Sequence, residues 1–142
     1  FPGETEAEFN ELHQFIKDQA FERLGVFTYS YEPNTPSAQI PDHVPDEIQQ
    51  QRRDILMETQ RDIMRNGNEA KLGSQLEIIL DAAVPGEENV WIGRTIADAP
   101  EVDSLAYVTG NDIPLKAGSI VTAEIVATQE YDLIAVAVGP AR

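Results

Sequence analysis

Ser74-Gln75-Leu76-Glu77-Ile78-Ile79-Leu80 opens the part of this 142-residue chain whose reading decides the fold. Upstream of it, apolar residues recur at helical spacing. From Ser74 onward they come in short runs rich in branched and aromatic side chains, separated by turn residues. The pattern predicts strands at Ser74–Leu80, Asn89–Ala97, Leu105–Thr109, Ile120–Gln129 and Leu133–Val138. Pro85-Gly86, Ala99-Pro100, Gly110-Asn111-Asp112 and Glu130-Tyr131-Asp132 fall between them as turns. Five short strands in so little chain predict a small, closed or nearly closed antiparallel barrel of the oligonucleotide/oligosaccharide-binding kind.

Working outward, the segment before Ser74 reads as a long helix from Asp46 to about Lys71. Pro45 is tolerated at a first helical position, and Asp46 and Glu47 suit a helix N-terminus. Ile48, Ile55, Leu56 and Ile63 form its apolar stripe, and Gly73 is placed to end it. Between Ser30 and Pro45 stand Pro33, Pro36, Pro41 and Pro45, which predict an extended loop with no interior helix. Leu24-Gly25-Val26-Phe27-Thr28-Tyr29 reads as a short buried strand. Thr5 to about Gln19 reads as an amphipathic helix opened by a Thr5-x-x-Glu8 capping box. Helix-then-strand is the tail of an α/β alternation. Phe1-Pro2-Gly3-Glu4 resembles a turn that follows a strand, so the chain is expected to be a C-terminal piece of something larger. The expected class is α+β, divided as residues 1–45, a linking helix 46–73, and a barrel 74–142.

Composition narrows the function. No apolar run approaches the roughly 20 residues needed to cross a bilayer, and the cytoplasm is the default location. The chain has no Cys, which removes disulfides, thiol nucleophiles and Cys-held iron–sulfur or zinc sites. His13 lies in the first helix and His43 in the Pro-rich loop, with no second ligand at metal spacing, so no metal site is expected. No phosphate loop and no nucleophile–base constellation occurs, hence no catalytic residue is assigned. The net charge is −15: residues 1–70 carry 14 acidic and 6 basic side chains, residues 71–142 carry 11 and 4. Much of this is ordinary solubility charge. Its long-range consequence is that phosphate backbones are repelled and basic proteins attracted.

Three motifs occur in order: Phe1-Pro2-Gly3-Glu4-Thr5-Glu6; Phe27-Thr28-Tyr29-Ser30 followed by Glu32, Thr35, Pro36 and Ala38; and Gly93-Arg94 followed by Ala97-Asp98-Ala99-Pro100-Glu101-Val102-Asp103. Together they resemble the radical S-adenosylmethionine methylthiotransferases, over nearly the whole chain. The resemblance implies that residues 1–30 are the remnant of a radical SAM (β/α) barrel and residues about 74–138 a TRAM barrel. The Asp-Ala-Pro-Glu stretch and Glu32 are similar to the branch that methylthiolates an aspartate β-carbon on a small-subunit ribosomal protein. Asn34 departs from the Gly usual in the family, but Asn tolerates the left-handed backbone. Whole members of the family use S-adenosylmethionine and two 4Fe-4S clusters. This chain lacks their cysteines and is expected to bind neither cluster.

Candidate sites follow from the resemblance. Gly3, Glu4, Tyr29 and Ser30 would lie at the mouth of the missing barrel, against the cofactor; the alternative is a tight turn, a helix cap and a hydrogen-bonded strand end. Glu32, Asp98, Glu101 and Asp103 would dock a basic ribosomal protein; the alternative is a soluble loop with Asp98 capping locally. Trp91 and Tyr107 are expected to pack the barrel. Two other functions remain: adenosine methylthiolation of transfer RNA, against which the sparse basic residues argue, and a stand-alone non-catalytic binding module.

Overall fold

The computed structural model describes residues 1–100 and 103–139, and the chain divides into two units, Phe1–Met64 and Arg65–Arg142. In the first unit, helix α1 spans Glu6–Gln19. The expected capping box is formed: the Thr5 hydroxyl accepts from the Glu8 amide (3.3 Å), and the Glu8 carboxylate accepts from the Thr5 amide (2.8 Å). Ala20 ends the helix in the left-handed conformation, its N–H donating to the Ile16 carbonyl. Helix α2 spans Asp46–Glu69, and the division between units falls within it. Phe9 and Ile16 of α1 are buried against Leu56 of α2, with Leu24, Val26 and Ile63 packed around them.

Two expectations fail in this unit. Leu24–Tyr29 forms no strand, and Phe27 is 92% exposed. A strand is a property of a pair, and no other extended segment of the unit, among the described residues, pairs with this one. The Pro-rich loop also contains a helical turn, a 3₁₀ segment at Pro36–Gln39. Pro36 supplies the backbone angle for its first residue, and the Thr35 and Ser37 hydroxyls hydrogen-bond at 2.9 Å beside it.

The second unit is a five-stranded closed barrel: β1 Gln75–Ala83, β2 Val90–Thr95, β3 Ala106–Thr109, β4 Ile120–Gln129 and β5 Asp132–Ala137. Going round it the order is β1-β2-β3-β5-β4, back to β1. Period-two alternation turns Ile78, Leu80, Ala106, Val108, Val121, Ala123, Ile125, Leu133, Ala135 and Ala137 inward. Small and branched side chains share this interior, as a narrow barrel requires. β-Bulges at Leu80/Ala82 and Ile125/Ala127 bend the two longest strands, which lets the sheet close.

The barrel is not antiparallel throughout: β3 runs parallel to β5. Five strands in a ring cannot alternate direction all the way round, so one seam must be parallel. The joint falls on the shortest strand. As expected, Trp91 packs against the core. Tyr107, paired with Ile92 and Ile134, alternates with the inward Ala106 and Val108 and is only partly buried.

Candidate functional site

The expected cofactor residues divide. Glu4 and Tyr29 line one cleft of about 240 Å³ in the first unit, together with Phe1, Phe9, Arg52 and Leu56. Gly3 adopts a left-handed conformation (φ +77°), and its N–H donates to the Asp42 carbonyl at 2.9 Å, closing the turn. Ser30 is exposed and not part of the cleft wall. The Tyr29 hydroxyl donates to Ser37 Oγ (3.2 Å), and its ring meets Phe1 edgewise and His43 at a tilt, with centroids 5.6 and 5.7 Å away.

Arg52 organises this cleft, a role that no local sequence signal reveals. Its Nη1 donates to Glu4 Oε1 at 2.6 Å and to the Glu4 carbonyl at 3.2 Å; its Nη2 donates to Glu6 Oε2 at 3.1 Å. The guanidinium also lies 5.1 Å from the centre of the Phe9 ring, and only 12% of the side chain is exposed. A planar, permanently charged fork suits this double task of pairing and stacking. The Glu4 carboxylate is therefore committed to an ion pair.

On the same unit, His13 Nε2 lies 2.8 Å from Thr59 Oγ1, and burial followed by the Lys17 charge pushes the imidazole pKa down. The Glu8 carboxyl is also held below its ordinary value, first by the backbone hydrogen bond from Thr5 and then by the Thr5 hydroxyl. Among the described residues no group of three or more His, Cys, Asp or Glu is placed to hold a metal ion, and the chain has no Cys. The residues present do not fit an iron–sulfur cluster.

The expected docking residues also separate. Glu32 is exposed in the Pro-rich loop of the first unit. Asp98, Glu101 and Asp103 belong to the β2–β3 connection; Glu101 lies outside the described residues. Asp98 is buried, with 9% of its surface exposed. Its Oδ2 accepts from the Thr95 hydroxyl at 2.6 Å and from the Thr95 amide at 3.2 Å. Thr95 Oγ1 in turn accepts from the Ala97 amide, and the Asp98 amide donates to the Thr95 carbonyl. Asp103 Oδ2 accepts from the Ala99 amide at 2.8 Å. Asp132 Oδ1 holds the far end of the connection through the Leu105 amide. Carboxylates thus hold the described parts of the loop, Asp132 from β5 among them, and Asp98 acts as an internal cap. Thr95-x-x-Asp98 is a spacing at which side chain and backbone close a turn, and it was readable in the sequence.

Residues 72–138 match the family model of the TRAM domain, and the barrel is a TRAM domain. The chain is 44% identical over 133 residues to the ribosomal protein uS12 methylthiotransferase RimO of Anaeromyxobacter sp. (strain K), and 45% identical over 136 residues to that of Desulfitobacterium hafniense (strain Y51). It is 42% identical over 134 residues to the same enzyme of Clostridioides difficile (strain 630). Each match covers 94% of this chain and 28, 29 and 30% of the respective relative. The chain thus matches the TRAM-bearing part of RimO methylthiotransferases, and it spans under a third of their length.

Proposed function

We propose that this chain is the substrate-recruiting part of an enzyme that methylthiolates an aspartate of ribosomal protein uS12, working in the cytoplasm. The observation that carries the reading is the 44% identity, along 94% of the chain, to a methylthiotransferase named for uS12. The charge agrees with it. A ribosomal protein is basic because it lives among phosphates, and a net charge of −15 draws such a partner in while repelling RNA.

On this reading the β2–β3 loop of the barrel, with Asp103 and Glu101, faces the substrate, and Asp98 holds that loop in shape. Glu32 would add to the acidic field from the first unit. Glu4 and Tyr29 would form part of a wall against S-adenosylmethionine, with Arg52 holding Glu4 in place; Gly3 and Ser30 would contribute backbone turn and loop. The clusters that supply radical and sulfur chemistry in whole relatives would require cysteines from outside these 142 residues.

The test is a binding titration of the 142-residue chain against purified uS12 and against transfer RNA. Saturable binding to uS12 that weakens with salt is the expected result. Tight transfer-RNA binding with no uS12 binding would refute the reading and favour adenosine methylthiolation.

A further inference from the structure

Ile96 is the most exposed large apolar residue among those described in the barrel, at 104% of its reference surface; Val126 follows at 50%. A single exposed aliphatic residue is ordinary in itself. Three features of its setting are not. It directly follows Thr95, which is buried and bonded to Asp98, so the backbone beneath it is fixed by the bonds from Thr95 and Ala97. It lies on the loop whose other end is tied by Asp103 to Ala99 and by Asp132 to Leu105. From Thr95 to Leu115 the sequence holds four carboxylates (Asp98, Glu101, Asp103, Asp112) and no Lys or Arg.

We propose that Ile96 is the apolar anchor by which the barrel grips a basic protein partner, with Asp98 as the positioning residue that presents it. The proposal deepens the docking function above and rests on it. Backbone already pinned by the Thr95–Asp98 hydrogen bonds loses little conformational freedom on binding, so burial of the exposed Ile96 side chain is retained as affinity. Surrounding carboxylates contribute chiefly to encounter, whereas a desolvated apolar anchor governs how long the complex lasts. The matching surface is an apolar pocket bordered by Lys and Arg on a folded protein. An RNA backbone offers the wrong charge to these carboxylates and no pocket for a branched aliphatic group.

The experiment measures association and dissociation rates of purified uS12 with the 142-residue chain, at low and at high salt. Ile96→Ala removes three side-chain carbons and, with all of them buried in the complex, should speed dissociation roughly fiftyfold while leaving the salt dependence of association unchanged. Ile96→Val should recover most of the loss. Asp98→Ala, which removes the acceptor, should speed dissociation as well, and the Asp98→Ala/Ile96→Ala double variant should be no worse than Ile96→Ala alone, because a loosened loop cannot misplace an anchor that is gone. Ile96 has no interior contacts to lose, so the unfolding transition seen through Trp91 should be unchanged in its variants. Equal dissociation rates for the wild type and Ile96→Ala would overturn the anchor while leaving uS12 docking intact. Absence of uS12 binding by the wild-type chain would overturn the docking reading and the anchor together, as would transfer-RNA binding that depends on Ile96.

Discussion

Gly93→Ala should strongly destabilise the barrel, and the reason is space rather than backbone conformation. Gly93 faces inward on β2, paired with Leu80 of β1 and Ala106 of β3. A Cβ added there would stand 2.4 Å from the Ile79 carbonyl oxygen, 2.8 Å from Ile78 Cγ2 and 3.2 Å from the Ile79 carbonyl carbon. Even a close carbon–oxygen contact needs about 3.3 Å, so the deficit is close to 1 Å against a backbone atom. No rotamer change relieves that. Strand β1 must retreat from β2 beside its own bulge, straining the ladder around Ile79–Arg94 and Leu80–Gly93. Overpacking costs about 1–3 kcal/mol, and a backbone obstacle puts this case near the upper end. For a unit of this size, about 3 kcal/mol lowers the midpoint by roughly 12–24 °C. Trp91 is the only Trp of the chain, lies on the same strand and packs against the core, so its fluorescence reports this transition. Gly118→Ala is the comparison: φ there is +80° with nothing within 4 Å of the added carbon, so about 1–2 kcal/mol of backbone strain is expected. A midpoint for Gly93→Ala no lower than that for Gly118→Ala would refute the close-approach argument.

Asp98→Ala removes the acceptor for two hydrogen bonds of Thr95 and leaves buried donors unpaired, which should cost about 1–3 kcal/mol in the same thermal assay. Arg52→Leu takes the close guanidinium from the Glu4 carboxylate and leaves it the Phe1 ammonium at 3.5 Å; loss of helical signal should begin at lower denaturant, and the Arg52→Leu/Glu4→Gln double variant should recover part of it, which a purely steric role for Arg52 would not allow. The first unit should weaken in two acid steps. His13 and Glu8 both have folded pKa values below their unfolded ones, so each contributes stability above its unfolded pKa, about 6.5 and 4.5, and loses it as pH falls through the folded value. His13→Asn should remove the upper step and Glu8→Gln the lower, measured by circular dichroism against pH; an upper step that persists in His13→Asn would exclude His13 as its source. Glu88→Gln and Asp132→Ala should slow association with uS12 to similar extents, while only Asp132→Ala should lower the unfolding midpoint, since it removes the acceptor that holds the Leu105 amide and Glu88 is exposed.

What could be read in the sequence was local. The Thr5–Glu8 box sets the start of α1 because both partners lie within one turn of each other, and residue type and spacing suffice. The strands came within a few residues of their bounds, since alternation and turn residues are short-range signals; the largest miss, β1 continuing to Ala83, follows from a bulge that disrupts the alternation. Failures occur where the answer depends on a distant partner. Leu24–Tyr29 has the composition of a strand, but no neighbour pairs with it among the described residues. Glu4 reads as a cofactor contact or a helix cap until Arg52, 48 residues away, is brought to it. The parallel seam between β3 and β5 is a different matter: parity alone demanded it once five strands were placed in a closed ring.

The separation of Asp98 from Ile96 bears on how a strongly acidic protein recognises a partner. The net charge of −15 counts every carboxylate alike, and so does the field at a distance, because a hydrogen-bonded carboxylate is still charged. At contact the two kinds differ. Glu4 and Glu6 are engaged with Arg52, Asp81 with Arg94, Asp98 with Thr95, Asp103 with Ala99 and Asp132 with Leu105. To pair with an incoming Lys or Arg, each would have to share or surrender a bond that shapes its own loop or unit. Such carboxylates can guide a cation in but are poorly placed to hold it. Durable contact then falls to groups with no internal obligation, and on the β2–β3 loop the side chain that best meets that condition is Ile96.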